Sequence, residues 1–212
     1  MKIALIGASG FIGSALLTEA LSRGHHVTAL VTRPERVAPQ ENVVSVKSDV
    51  LNTAALAEQL RGVEAVISAF SGHAQEDVYG YYLKGFHSIL SATQHASVPR
   101  LMIVGGAATL EVAPGKLLLD APGFPAEYRA TAEGAQTALE TLRMQTAQAW
   151  TFLSPAAEIF PGERTGSFRL GGDTLLTDSK GNSRISVQDY AIAMIDELEN
   201  PHNTNQRFCV AY

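Results

Sequence analysis

Cysteine is almost missing from this 212-residue chain: Cys209 stands alone. No internal disulfide and no thiolate metal site can form, and a reducing compartment is expected. A basic excess is missing too. Sixteen Lys and Arg against 21 Asp and Glu give a net charge of −5, which offers no footprint for DNA or RNA. No uncharged run reaches the roughly 18 residues of a membrane helix. The stretch from Ile3 to Thr18, behind Lys2, has the outline of a signal peptide. Three glycines interrupt it, however, Glu19 and Arg23 follow, and no small-x-small cleavage site stands beyond, so a cytoplasmic protein is expected. The six histidines are scattered, with no metal-ligand spacing to a carboxylate third, and no metal is expected. Repeats, low-complexity tracts and charged linkers are also lacking, so residues 1–212 read as a single domain. Its 46% hydrophobic and 17% charged residues are those of an ordinary globular chain with one sizeable core.

What is present is a rhythm of short β-branched runs and longer amphipathic stretches. Lys2 to Ile6 reads as a central strand covered on both faces. Phe11 to Arg23 reads as a helix with Ile12, Leu16 and Ala20 stacked on one side and Gly24 ending it. Further strands are expected at Val27 to Val31, Val43 to Lys47, Ala65 to Ser68, Leu101 to Val104, Trp150 to Leu153 and Gln206 to Ala211. Helices are expected at Thr53 to Leu60, Tyr79 to Ala96 and Ala126 to Arg143. Another runs from Ser186 to Asn200, with Ser186 as cap and Asp189 at the capping-box position. Ser167 to Leu170 and Leu175 to Thr177 bracket a Gly-Gly-Asp turn and suggest a small hairpin. A Pro- and Gly-rich stretch from Ala113 to Pro125 reads as a surface excursion. Alternating strand and helix imply parallel pairing with right-handed crossovers, a doubly wound α/β fold.

The sharpest signal is Gly7-Ala8-Ser9-Gly10-Phe11-Ile12-Gly13, between the first strand and the first helix. Gly7 permits a tight turn, Gly10 lets backbone approach a pyrophosphate, and Gly13 allows close helix–strand packing. Amides freed at the helix start then meet the phosphates. No Gly-Lys-Ser/Thr follows, so an NTP-hydrolysing loop is not supported. The end of the second strand selects the nucleotide: a carboxylate would bind the ribose of NAD, an arginine the 2′-phosphate of NADP. Here Thr32-Arg33-Pro34 occupies that place. Arg33, with Ser9, Thr32 or Arg36 in support, predicts NADPH in preference to NADH.

With these motifs the chain resembles the short-chain dehydrogenase/reductase superfamily, in its atypical NAD(P)H-binding branch. Ser48-Asp49-Val50, Ser68-Ala69-Phe70, Ser154-Pro155-Ala156 and the helix start Ser186-Val187-Gln188-Asp189-Tyr190-Ala191 add to the resemblance. The likeness spans nearly the whole chain. It is strongest to proteins provisionally described as NADH-flavin reductases, relatives of the biliverdin IXβ/flavin reductases. The resemblance implies a Rossmann fold, with Asp49 and Val50 bordering the adenine. By the same analogy Ser68, Ala69 and Phe70 line the ribose side, and Pro155 lies beside the nicotinamide.

Most of the superfamily pairs a tyrosine with a lysine four residues later, so that the phenol can exchange a proton with an alcohol or ketone. No tyrosine here has that lysine. Tyr128 lies in the right region, but position 132 is alanine, and Gly105-Gly106-Ala107-Ala108-Thr109 carries no serine where the family has one. Ketone chemistry and sugar-nucleotide epimerisation are therefore disfavoured. A flavin or quinone acceptor asks less of the protein, because hydride transfer to a flat ring depends chiefly on proximity and orientation. Gly105 and Gly106 leave room for such a ring or serve close packing. Leu117 to Phe124 and the hairpin near Gly171 could cap it, and His73 could face the cleft. Glu158 and Glu163 lie near the sixth strand's exit. The expected activity is NADPH-dependent reduction of a small flat acceptor by a monomer or homodimer that binds neither nucleic acid nor membrane. The alternative is a non-catalytic NADP(H)-binding regulator, since NmrA-like proteins resemble the same motifs and also lack the Tyr/Lys pair.

Overall fold

A computed structural model describes residues 1–73 and 75–212. The chain begins with β1 (Lys2–Ile6), α1 (Phe11–Ser22), β2 (His26–Val31), β3 (Val43–Lys47), α2 (Thr53–Gln59), β4 (Ala65–Ser68) and α3 (Val78–His95). It continues through β5 (Arg100–Val104), the short β6 (Glu111–Ala113) and β7 (Lys116–Leu117), α4 (Ala126–Met144) and β8 (Ala149–Ser154). The last part holds β9 (Glu158–Phe160), β10 (Arg169–Gly171), β11 (Arg184–Ser186), α5 (Val187–Glu199) and β12 (Gln206–Ala211). Eight strands form one sheet in the order β10-β12-β8-β5-β4-β1-β2-β3. Every pairing in it is parallel except that of β10 with β12. This is the doubly wound Rossmann architecture that the strand–helix rhythm implies.

Side chains of a strand alternate between faces, and β1 shows the consequence. Ile3 and Leu5 pack into a core with α1 and α5, including Leu16, Tyr190 and Met194. Ala4 and Ile6 belong to the opposite core with α2, α3 and α4, including Leu56, Phe86 and Leu139. Burial on both faces is what turns β1 into a continuous apolar run rather than an alternating one. On the first face α1 and α5 are tied by charge. Arg23 meets Glu19 at 2.7 Å on its own helix and Asp196 and Glu199 of α5 at 2.7 and 2.8 Å.

Ser186 caps α5 as expected, accepting from the Asp189 amide at 3.0 Å. The Asp189 carboxylate does not close the capping box. It turns away to accept from the Thr165 amide and hydroxyl, the Gly166 amide and the Tyr212 hydroxyl, at 2.5–2.9 Å. Burial raises this carboxyl's pKa, but those four donors outweigh it and hold it below the ordinary aspartate value.

The expected pairing of Ser167–Leu170 with Leu175–Thr177 does not form. The first segment pairs with β12, Arg169 opposite Ala211, and covers an edge that would otherwise be bare. The second follows Glu111 instead: the Glu111 amide donates to the Asp173 carbonyl at 2.8 Å and the Leu175 amide to the Glu111 carbonyl at 2.9 Å. Backbone groups at the end of a sheet take whichever partner lies nearest, and the excursion after β5 supplies it.

Candidate functional site

The sheet order reverses between β1 and β4, which are neighbours with Ile6 opposite Ser68, while the chain winds outward to β2 on one side and β5 on the other. A crevice opens outside the carboxyl ends of strands at such a switch point. The glycine loop fills its floor. Gly7 turns with φ +80, its amide donating to the Leu30 carbonyl at 3.0 Å; a Cβ there would lie 2.7 Å from the Ala69 carbonyl oxygen. At Gly13 a Cβ would come 2.8 Å from the Gly7 carbonyl carbon and 3.1 Å from Ala8 Cα, so α1 sits directly on the loop. Gly10 differs. Its nearest neighbour is a single oxygen at 3.3 Å, and the residue is exposed. No side chain caps α1 and no acid occupies its first turn. First-turn amides have no intrahelical acceptor, and the helix dipole favours negative charge there. Gly10, Phe11, Ile12 and Gly13 therefore present a cradle suited to a phosphate.

Beside the cradle lies a cavity of about 460 Å³. Ala69 and Phe70 after β4, Gly105 and Gly106 after β5, and Pro155 after β8 form its walls. α4 contributes Tyr128, Thr131, Ala132 and Ala135, and Leu118 and Phe124 close over it from the excursion. The Phe70 ring is seated by Gly85, where a Cβ would come 2.5 Å from its Cζ, and it stacks on Tyr82 at 6.1 Å. Gly105 serves packing: a Cβ there would stand 2.6 Å from Phe152 Cδ1. Gly106 is the roomier of the two, its nearest neighbour being the Ala135 methyl at 3.3 Å. Among the described residues no Asp, Glu, Lys, Arg or Cys lines the cavity. Its protonatable groups are Tyr82, Tyr128 and His73. Burial pushes the Tyr82 phenol well above its ordinary value, so it stays protonated. Tyr128 is 57% exposed. His73 Nδ1 shares a hydrogen bond with the Thr131 hydroxyl at 3.2 Å.

Comparison with known proteins shows the family. The chain matches the NAD(P)H-binding family over residues 7–201. It belongs to that family. The uncharacterized protein YwnB of Bacillus subtilis is 42% identical over 214 residues, 99% of this chain and 98% of that one. A solved structure from Bacteroides thetaiotaomicron, provisionally named an epimerase, is 43% identical with a TM-score of 0.93, covering 100% of this chain and 96% of that one. One from Streptococcus pneumoniae, provisionally named an NADH-flavin reductase, is 35% identical with a TM-score of 0.88, covering 100% and 99%.

In this NAD(P)H-binding protein the residues expected to touch the cofactor fall into two groups. Gly10 to Gly13, Ala69, Phe70, Gly105, Gly106 and Pro155 converge on the cavity, and Tyr128 stands at its rim. Ser9 in the loop, Arg33 after β2, and Asp49 and Val50 after β3 lie outside it. Arg33 is exposed just beyond β2, three residues past Leu30, whose carbonyl holds Gly7. Among the described residues nothing bonds its guanidinium. Asp49 is exposed and folds back on the Leu51 amide at 3.0 Å; Val50 is buried beneath it among Leu30 and Leu56. Ser68 is buried, its hydroxyl accepting from the Phe70 amide at 3.4 Å, so it shapes the turn below the cavity. One expectation fails: Gly171 does not reach the cavity, because β10 is held at the far sheet edge. Glu158 and Glu163 are exposed surface carboxylates, the former paired with Arg184 at 2.7 Å, and neither lines the cavity. Thr131, Ala132, Ala135 and Ile159 line the cavity without having been singled out in the sequence. The three α4 residues carry a signal in retrospect, since Tyr128, Thr131, Ala132 and Ala135 share one helix face.

Proposed function

We propose that the protein is an NADPH-dependent reductase that delivers hydride to a small flat acceptor such as a flavin or quinone. The observation that carries this reading is the continuity of the glycine cradle with a mostly apolar cavity that, among the described residues, is lined by no carboxylate or amine. The residues fit a dinucleotide: the cradle at Gly10 would hold the pyrophosphate, Pro155 and Gly106 would flank the nicotinamide, and Asp49 and Val50 would border the adenine. Exposed Arg33, with Arg36 in the same turn and Ser9 in support, would take the 2′-phosphate through charge-assisted hydrogen bonds. A bound nicotinamide supplies hydride at its C4. The chain's contribution is to hold two rings in register and exclude water with Leu118 and Phe124.

The missing Tyr-x-x-x-Lys pair argues against chemistry at a carbinol centre, so the pneumococcal reductase is the better analogue than the Bacteroides epimerase. Net negative charge favours a small-molecule partner over nucleic acid, and the chemistry suits the cytoplasm. NADPH oxidation by the purified protein with FMN, riboflavin and small quinones tests the proposal. Rates equal to the protein-free control for every acceptor overturn it. Tight calorimetric binding of NADPH without turnover would favour a regulator instead.

A further inference from the structure

The cavity is apolar except at its rim, and the rim carries a held imidazole. His73 lies in the segment after β4, and its Nδ1 is engaged by the Thr131 hydroxyl at 3.2 Å. Both side chains line the cavity, and among the described residues nothing bonds Nε2. The other protonatable groups of the lining are phenols. Tyr82 is locked against Phe70 and held protonated by burial, and Tyr128 has alanine where a lysine would assist it. Histidine is the side chain that gains and loses a proton near neutral pH. An apolar slot with one oriented imidazole at its mouth suits an acceptor with a flat body and a basic oxygen at its edge.

We propose that His73, oriented by Thr131, donates the proton that completes reduction of a quinone-type acceptor; this rests on the reductase reading above. A quinone becomes a hydroquinone by gaining one hydride, which brings both electrons, and one proton. The hydride forms a new bond at one carbonyl oxygen as the nicotinamide donor is oxidised. The opposite oxygen, left as an oxyanion of phenolate basicity, takes the proton from His73 Nε2–H, and the neutral imidazole regains a proton from water at the exposed rim. A flavin differs in kind: after hydride addition its remaining negative charge is spread over the ring, and the anion can leave without that proton. His73 therefore sets acceptor class, mattering for quinones and little for flavins.

The test uses the full chain, with FMN and 2-methyl-1,4-naphthoquinone as acceptors and NADPH affinity read independently by fluorescence titration. His73→Ala and His73→Gln are each expected to lower naphthoquinone kcat about a hundredfold, the low end for a general acid because water reaches the rim. Glutamine keeps a hydrogen-bonding partner for Thr131 but cannot give up a proton. FMN turnover and NADPH affinity should stay within about threefold of wild type, and added imidazole should restore part of the quinone rate to His73→Ala. Quinone turnover retained by either variant, or an equal loss with both acceptors, overturns the proposal. A wild-type protein active with FMN but with no quinone overturns this inference alone; one active with neither overturns the reductase reading as well.

Discussion

Gly10 and Gly13 look equivalent in the loop but should fail in opposite ways when each is given a methyl group. At Gly13 the new Cβ would face backbone on every side, 2.8 Å from the Gly7 carbonyl carbon and 3.1 Å from Ala8 Cα. Neither neighbour is a flexible side-chain end, so α1 would have to retreat by roughly 1 Å from a close-packed seat. That places the cost near the upper end for overpacking, about 3 kcal/mol. For a domain of this size it corresponds to a fall in Tm of roughly 6–12 °C. Gly10 sits at φ −81, ψ 175, extended backbone open to any residue, and its Cβ would meet one oxygen at 3.3 Å. Gly10→Ala should therefore cost about 1 kcal/mol or less, the difference between glycine and alanine as helix cap. The same methyl would stand where the pyrophosphate must approach, and NADPH affinity should fall at least about tenfold, or 1.4 kcal/mol. Thermal melts of the two variants, paired with a fluorescence titration of Gly10→Ala, separate the effects. If Gly10→Ala bound NADPH like wild type, or if Gly13→Ala melted with it, the steric reading of the loop would be wrong.

Arg33→Ala should weaken NADPH binding by about 10- to 100-fold, the worth of charge-assisted hydrogen bonds at an open site, and change NADH binding less than about twofold; equal losses would refute the 2′-phosphate assignment. Asp189→Asn should cost about 2–3 kcal/mol at pH 7 by urea denaturation. Because the folded carboxyl lies below its ordinary 3.8, that advantage is complete above the unfolded value and drains as pH falls through the folded one. The gap between wild type and Asp189→Asn should thus be constant from pH 7 to about 5 and narrow below about 4. Phe124→Ala, which opens the cover, should raise KM for the acceptor severalfold and leave NADPH affinity unchanged; a matching loss in both would place Phe124 against the cofactor.

Central elements were legible because burial on both faces writes itself into composition. β1, β4 and β12 fall at the residues expected, as does the half-buried edge strand β3, whose β-branched run marks it, and α1, α2, α3, α4 and α5 lie within one or two at each end. The glycine loop was legible for a related reason: its turn and its close contact with α1 need glycine at Gly7 and Gly13. The strands at the opposite edge of the sheet were not. β10 pairs with a strand almost forty residues later in the chain, and Glu111 reaches forward to Asp173 and Leu175; no local pattern encodes such a partner. Buried charge was equally hidden. Arg207 is 7% exposed because Asp173 and the Thr109 carbonyl satisfy its guanidinium, and Arg100 is buried against Glu197 at 2.6 Å. In the sequence both are ordinary strand-end arginines, and only tertiary neighbours decide otherwise. The α4 side of the cavity was hard to see because alanine and threonine on a helix signal nothing until a wall stands opposite.

One consequence follows from β1 serving as the wall between two cores. Peeling away α1 and α5 would leave its Ala4 and Ile6 packed, and loosening α2 to α4 would leave Ile3 and Leu5 packed. No partial opening on either side releases this strand, so its amides should be the last in the molecule to trade hydrogen for deuterium, at the free energy of global unfolding. The glycine turn that opens the crevice is continuous with it, and inherits an anchor that fluctuations elsewhere do not reach.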